Sequence, residues 1–141
     1  MILSTMNFEN INFLAVFVAA IAAFILGAIW YSAIFGKAWQ KELGFTDEYL
    51  QKANMPLVFG SSFVLMLITS FGLAMFNAHS GQSLDATLGA FHGLMVGLMF
   101  VGTSMGINYL YQRRSIKLWL IDAGYQILFL TIEGAIIGAW Q

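Results

Sequence analysis

Four long apolar segments separated by short polar stretches dominate the chain. They cover Ile11–Phe35, Leu57–Asn77, Leu84–Tyr109 and Ile116–Trp140. An α-helix rises about 1.5 Å per residue, so about 20 apolar residues cross the ~30 Å hydrocarbon core of a bilayer. Each segment is long enough for this. The pattern therefore predicts an all-α integral membrane bundle of four transmembrane helices, a single domain over residues 1–141, and we call these helices spans 1 to 4.

Residues that favour the start of a helix stand before the last three spans. Asparagine, serine and aspartate are preferred N-cap residues, and proline suits the first helical turn. The predicted starts carry Asn54 and Pro56, Ser83 and Asp85, and Ser115.

The longest connection, residues 36–56, has its own helical signals. Thr46 is followed by Asp47 and Glu48, as at an N-cap with acidic residues in the first turn. The segment also has an apolar side, formed by Trp39, Leu43, Phe45, Tyr49 and Leu50. We expect one or two short helices here, lying in the membrane interface.

Composition and charge agree with a membrane protein. The chain is 60% hydrophobic and 9% charged, whereas a soluble domain has about 25% charged residues. A net charge of −1 gives no field that would attract nucleic acid, and the chain has no cysteine. We expect the lipid bilayer as surroundings, no nucleic-acid partner, no metal and no cofactor.

The basic residues predict the orientation. All six lie in or beside two loops: Lys37, Lys41, Lys52, Arg113, Arg114 and Lys117. By the positive-inside rule, loops 36–56 and 110–115 are cytoplasmic, and both termini and the Ala78–Ser83 loop lie outside an inner membrane. The segment Met1–Asn12 has no basic residue, and the apolar run after it exceeds 20 residues. We therefore interpret span 1 as a retained helix, not a cleaved signal peptide.

Small residues indicate where helices pack closely, because helix association in lipid depends on close backbone contact. At 100° per residue, two glycine sets of span 3 fall on nearly opposite faces, and span 4 has its own pair. This arrangement predicts a second partner for span 3, either another copy of the chain or another membrane protein. The alternative is that glycine is simply frequent in membrane helices. The first set of span 3 is Gly89, Gly93 and Gly97, and the second is Gly102 and Gly106. The pair of span 4 is Gly134 and Gly138.

Ionisable residues within the spans are candidates for function, because charges are costly in lipid. Glu133 and His92 lie at matching depths, so they could pair if spans 3 and 4 are antiparallel neighbours. Asp122 shares one face of span 4 with Glu133. This polar stripe fits a proton relay, an ion path or a small polar binding site, or else a hydrogen-bond network that fixes helix register. Its further candidate members are Gln126, Tyr31, Ser32 and Ser104.

One catalytic motif is present but out of place. Residues 102–106 read G-x-S-x-G, the nucleophile elbow of hydrolases, which needs a strand–turn–helix setting. Here the string lies within a predicted helix, and His92 is twelve residues from Ser104. A haem held by His92 of two subunits would need a dimer. We therefore expect no enzyme, with an intramembrane enzyme as the third reading.

Several strings resemble a known family: LGAIWYS at residues 26–32, FGKAW at 35–39, HG at 92–93, KLWLIDAGY at 117–125 and GAIIGAW at 134–140. They are similar to the bacterial membrane family catalogued as domain of unknown function 1761. The chain departs from that pattern at Ala33, where the family often has proline, and at Asp122, where it often has asparagine. The resemblance implies a small four-helix membrane protein and no particular activity.

These observations favour a small non-enzymatic multi-pass membrane protein that self-associates or serves as an accessory or scaffold subunit. The alternative is a small transporter or channel that uses the stripe of Glu133, His92 and Asp122.

Overall fold

The computed structural model describes residues 11–81 and 83–140. The expectations about residues 1–10 and Gln141, which concern the two termini, lie outside the described residues. The described part is helical, with no β-strand. Four of its helical stretches are long and apolar enough to cross a membrane.

The four spans have the following bounds. Span 1 is Phe13–Ile34, an α-helix that becomes a π-helix at Trp30–Ile34. Span 2 is Met55–Ala78. Span 3 is Ala86–Tyr111 and contains a π-helical segment at Gly97–Gly102. Span 4 is Ile116–Ala139.

The predicted caps form at the starts of these helices. The side chain of Asn54 accepts a hydrogen bond from the backbone N–H of Leu57 at 3.2 Å. Ser115 accepts one from Leu118 at 3.0 Å. At the start of span 3 the cap is Asp85, which accepts from the Leu88 N–H at 2.8 Å. Each cap satisfies a backbone donor that the first helical turn leaves free.

Two short helices occupy the connection between spans 1 and 2, as predicted. The first, Gly36–Leu43, ends where Gly44 adopts the left-handed conformation at φ 70°. The second, Asp47–Gln51, is capped by Thr46, whose hydroxyl accepts from the Tyr49 N–H at 3.1 Å.

Span 4 lies at the centre of the bundle and packs against the three other spans. Small side chains let span 1 come close: Ala15, Ala19, Ala20 and Ala23 are buried. Span 2 contributes Leu73 and Ala74 to the same core, and span 4 contributes Tyr125, Phe129, Leu130 and Ile137.

The two ends of the bundle differ in packing. We call the end with residues 35–54 and 112–115 the basic end, and the end with residues 79–81 and 83–85 the opposite end. The buried residues of span 2, Ser70 to Asn77, all lie towards the opposite end. Towards the basic end, every residue from 51 to 61 is exposed. The first two turns of span 2 are therefore mostly uncovered, although the Phe59 ring meets Phe24 of span 1 edge-on with centroids 5.7 Å apart.

The expectation of two opposed glycine faces on span 3 is wrong. A side chain added at Gly89, Gly93 or Gly97 would meet span 4, and one added at Gly106 would meet Trp119, again on span 4. The π-helical segment between the two sets explains this, because its wider turn changes the angle at which later residues emerge. Both glycine sets thus pack against span 4, whose own glycines, Gly134 and Gly138, face Gly89 in return. They give no evidence for a second partner of span 3.

Candidate functional site

Asp122 forms a polar junction of three spans near the basic end. The Tyr31 hydroxyl, from span 1, donates to its Oδ1 at 2.7 Å. The Tyr109 hydroxyl, from span 3, donates to its Oδ2 at 2.5 Å. Because both carboxyl oxygens have a donor, the side chain links the central helix to two neighbours.

Three aromatic donors strengthen this junction by bonding to backbone oxygens. The indole N–H of Trp30 donates to the Ile121 carbonyl at 2.9 Å. The indole of Trp119 donates to the Gly102 carbonyl at 3.0 Å, at the end of the π-helical segment. The Tyr125 hydroxyl donates to the Ala23 carbonyl at 2.8 Å. A π-helical turn disturbs the regular backbone ladder, and here a side chain of span 4 bonds to its last carbonyl.

The other expected neighbours of Asp122 are not part of the junction. The Ser32 hydroxyl bonds to the Ala28 carbonyl within its own helix. Ser104 is exposed, and Gln126 is half-buried. Among the described residues, neither Ser104 nor Gln126 has a side-chain hydrogen bond. The continuous stripe expected from Asp122 to Glu133 therefore resolves into two separate polar centres, about 16 Å apart along span 4.

Glu133 is the second polar centre and is fully buried, at 0% exposure. The Thr69 hydroxyl of span 2 donates to its Oε1 at 2.9 Å, and also lies 2.9 Å from the Met66 carbonyl. The other oxygen, Oε2, is buried and has no hydrogen-bond partner among the described residues.

His92 bonds to span 2 and does not pair with Glu133. Its Nδ1 lies 2.5 Å from Oδ1 of Asn77, and its ring meets Phe76 edge-on with centroids 4.9 Å apart. Within the described residues His92 and Glu133 share no hydrogen bond. Gly93 faces span 4, so His92, one residue earlier, points about 100° away around the helix. The matching depth expected from the sequence is present, but the rotation about span 3 prevents the pair.

Two buried polar atoms towards the opposite end thus have no hydrogen-bond partner among residues 11–81 and 83–140. They are Oε2 of Glu133 and Nδ2 of Asn77, a residue with 2% exposure. Buried polar atoms are nearly always hydrogen-bonded, so each such atom requires an explanation, for example a water molecule or an ion. Among the described residues, no group of three His, Cys, Asp or Glu side chains could hold a metal.

The sequence reading missed the contribution of span 2 and of Tyr109. Thr69 and Asn77 supply the partners of Glu133 and His92. Ser70, which is also buried, donates to the Val16 carbonyl at 2.8 Å. These residues are uncharged, so a search for ionisable groups within the spans passes over them. Asn77 follows Ser70 by seven residues and Thr69 by eight, which places the three on one face of span 2, and this spacing was the available signal.

The four apolar spans and the polar contacts between them define an α-helical, multi-pass type of membrane protein. The chain matches the family described as Protein of unknown function (DUF1761) over residues 14–138 and belongs to that family. No curated protein and no solved structure matches the chain.

Proposed function

We propose that this chain is a non-enzymatic membrane protein that self-associates through the part of span 2 nearest the basic end. Its place is the bacterial inner membrane, with the basic end in the cytoplasm and the termini outside. In this proposal the polar contacts of Asp122 and His92 fix the helix packing. The proposal rests on the observation that every residue from 51 to 61 is exposed.

The exposed part of span 2 has a shape suited to another helix. It carries a shallow groove of about 500 Å³, lined by Pro56, Leu57, Gly60, Ser61, Val64 and Leu65. A Cβ added at Gly60 would meet no atom within 4 Å. A small residue between larger ones gives a depression into which the ridge of a facing helix packs.

Ser61 gives a second reason for a partner. It lies about 9 Å inside span 2, by the rise per residue, and is exposed. Its hydroxyl makes no hydrogen bond within the described part of the chain. A hydroxyl without a partner is unfavourable in hydrocarbon, whereas a facing helix supplies backbone and side-chain acceptors.

A second copy of the chain fits this surface by symmetry. Copies inserted in the same direction are related by a two-fold axis along the membrane normal, and such an axis brings the same surface of each copy together. Gly60 of one copy then faces Gly60 of its partner, which allows the two backbones to approach closely. Ser61 of each copy lies beside the same crossing point, where the two hydroxyls can bond.

Disulfide cross-linking tests this interface, and the absence of cysteine makes any introduced thiol unique. The Ser61→Cys variant, oxidised in native membranes, should give a cross-linked dimer. Ile107→Cys is the matched control, since it lies at a similar depth on span 3 and is 58% exposed. Equal cross-linking of the two variants, or none at Ser61→Cys, would contradict the proposal.

A second candidate function, a small transporter or channel, is favoured by Oε2 of Glu133, which is buried and has no partner in the described part of the chain. A fully buried carboxyl group in a membrane span is a candidate for carrying a proton or a cation. In reconstituted vesicles, this candidate predicts proton or cation flux that Glu133→Gln abolishes and that Gly72→Ala, on an open part of span 2, retains. Wild-type vesicles without flux would exclude it.

A further inference from the structure

A groove beside the first short helix carries two lysines at the level where phospholipid headgroups lie. It is lined by Lys37, Gln40, Lys41, Gly44 and Phe45 and has a volume of about 470 Å³. Lys37 follows the end of span 1, Ile34, by three residues. At about 1.5 Å per residue this places the groove at the edge of the hydrocarbon.

The helix that bears the lysines is held firmly against the bundle. The Trp39 ring packs edge-on against Tyr31 of span 1 at 5.6 Å, and against Phe45 at 5.7 Å. The carboxylate of Glu42 accepts from the Ser115 hydroxyl, the cap of span 4, at 2.7 Å. The lysines therefore project from a fixed backbone, and a ligand need not order this segment on binding.

Lys37 and Lys41 lie four residues apart, so their side chains emerge from the same helical face. Both are exposed. Within the described residues no carboxylate lies within 4 Å of either ammonium group. Asp47 accepts from Nε2 of Gln40 at 2.7 Å, and the carboxylate of Glu42 is turned to Ser115. The residues that line the groove include two lysines and no acidic residue, so the lining has a net positive charge.

We propose that this groove binds the headgroup of an anionic phospholipid. The two ammonium groups would contact the phosphate oxygens, and the exposed apolar side chains at the end of span 1, such as Ile34, would lie along the acyl chains. A lysine near an anionic membrane surface contributes about 1 kcal/mol, so two lysines give a preference for anionic over zwitterionic lipid of about thirtyfold. This site is independent of the self-association surface on span 2.

Native mass spectrometry of the purified full-length protein tests the proposal. The protein is delipidated and mixed with equal amounts of phosphatidylglycerol and phosphatidylcholine of identical acyl chains. The wild type should retain phosphatidylglycerol preferentially, by about tenfold or more. The Lys37→Gln/Lys41→Gln variant should lose the preference, whereas Lys37→Arg/Lys41→Arg should keep it because arginine also binds phosphate.

Lys52→Gln is the matched control, a lysine of the same connection that lies outside the groove. It should keep the wild-type ratio, and a large excess of inorganic phosphate should not displace the lipid. Circular dichroism checks that each variant is folded. The proposal is wrong if the wild type shows no preference or if the double glutamine variant keeps it. It is also wrong if Lys52→Gln loses it equally, or if free phosphate displaces the lipid.

Discussion

The contact between spans 3 and 4 allows a quantitative prediction at Gly93. A Cβ added there would lie 2.7 Å from the carbonyl carbon of Leu130 and 3.0 Å from the Cα of Thr131, besides overlapping the Leu130 oxygen. Non-bonded carbon atoms are normally about 3.5–4.0 Å apart. The two helices must therefore separate by about 1 Å to accept an alanine, because backbone atoms cannot rotate away as a side chain can.

The free-energy change of Gly93→Ala follows from two opposing terms. Overpacking typically costs about 1–3 kcal/mol, and contact with rigid backbone places this site at the upper end. Alanine is a better helix former than glycine by about 1 kcal/mol. The net expectation is a loss of about 2 kcal/mol, or about thirtyfold in the unfolding equilibrium.

Unfolding in mixed micelles by titration with sodium dodecyl sulfate, followed by circular dichroism, measures this change. Gly72→Ala is the matched control, because no atom lies within 4 Å of the added Cβ. It should leave stability unchanged or raise it by up to about 1 kcal/mol. A Gly93→Ala variant as stable as the wild type, or an equal loss at Gly72→Ala, would refute the close contact of spans 3 and 4.

Three further predictions concern the polar centres and the orientation. Asp122→Ala removes the acceptor of two tyrosine hydroxyls and should lower the free energy of unfolding by about 2–3 kcal/mol in the same titration. Asp122→Asn keeps an acceptor oxygen and should lower it by less than half as much. The effects of Thr69→Val and Glu133→Leu on the free energy of unfolding should be coupled. The loss in the double variant should be smaller than the sum of the two single losses by at least about 0.5 kcal/mol, and additive losses would contradict the hydrogen bond. On intact cells an impermeant thiol reagent should label Ser83→Cys and should not label Gln51→Cys, and the reverse pattern would overturn the orientation.

The number and extent of the helices could be predicted because they depend on local properties. The length of an apolar run fixes what can cross a bilayer, and a capping residue such as Ser115 satisfies donors within its own first turn. The rotation of span 3 could not be predicted in the same way. Constant 100° steps fail across the π-helical segment Gly97–Gly102, where the turn widens, so Gly106 faces span 4 together with Gly93.

At the candidate site, likewise, the depth of each residue could be predicted but the direction of its side chain could not. The rise per residue is constant, so the sequence places His92 and Glu133 at matching depths. Which side chains meet depends on the rotation of each helix about its axis. The rotation of span 3 is set by its glycine face, which packs against span 4. His92 and Glu133 therefore each bond to span 2 and not to one another. Asp122 was expected near Tyr31, and that contact is present. The role of Tyr109 was not expected, because an aromatic residue near the end of a span also suits the membrane interface.

The number of copies in a native lipid particle tests self-association through span 2 most directly. Mass measurement of the wild-type protein, extracted with its own lipids into nanodiscs, should give two copies per particle. Gly60→Leu places a side chain in the groove at a position where an added Cβ meets no atom within 4 Å, so it should give single copies that remain folded. Ile107→Leu, on the exposed surface of span 3, should keep two. A wild-type protein found as one copy, or a Gly60→Leu variant that keeps two, would contradict the account.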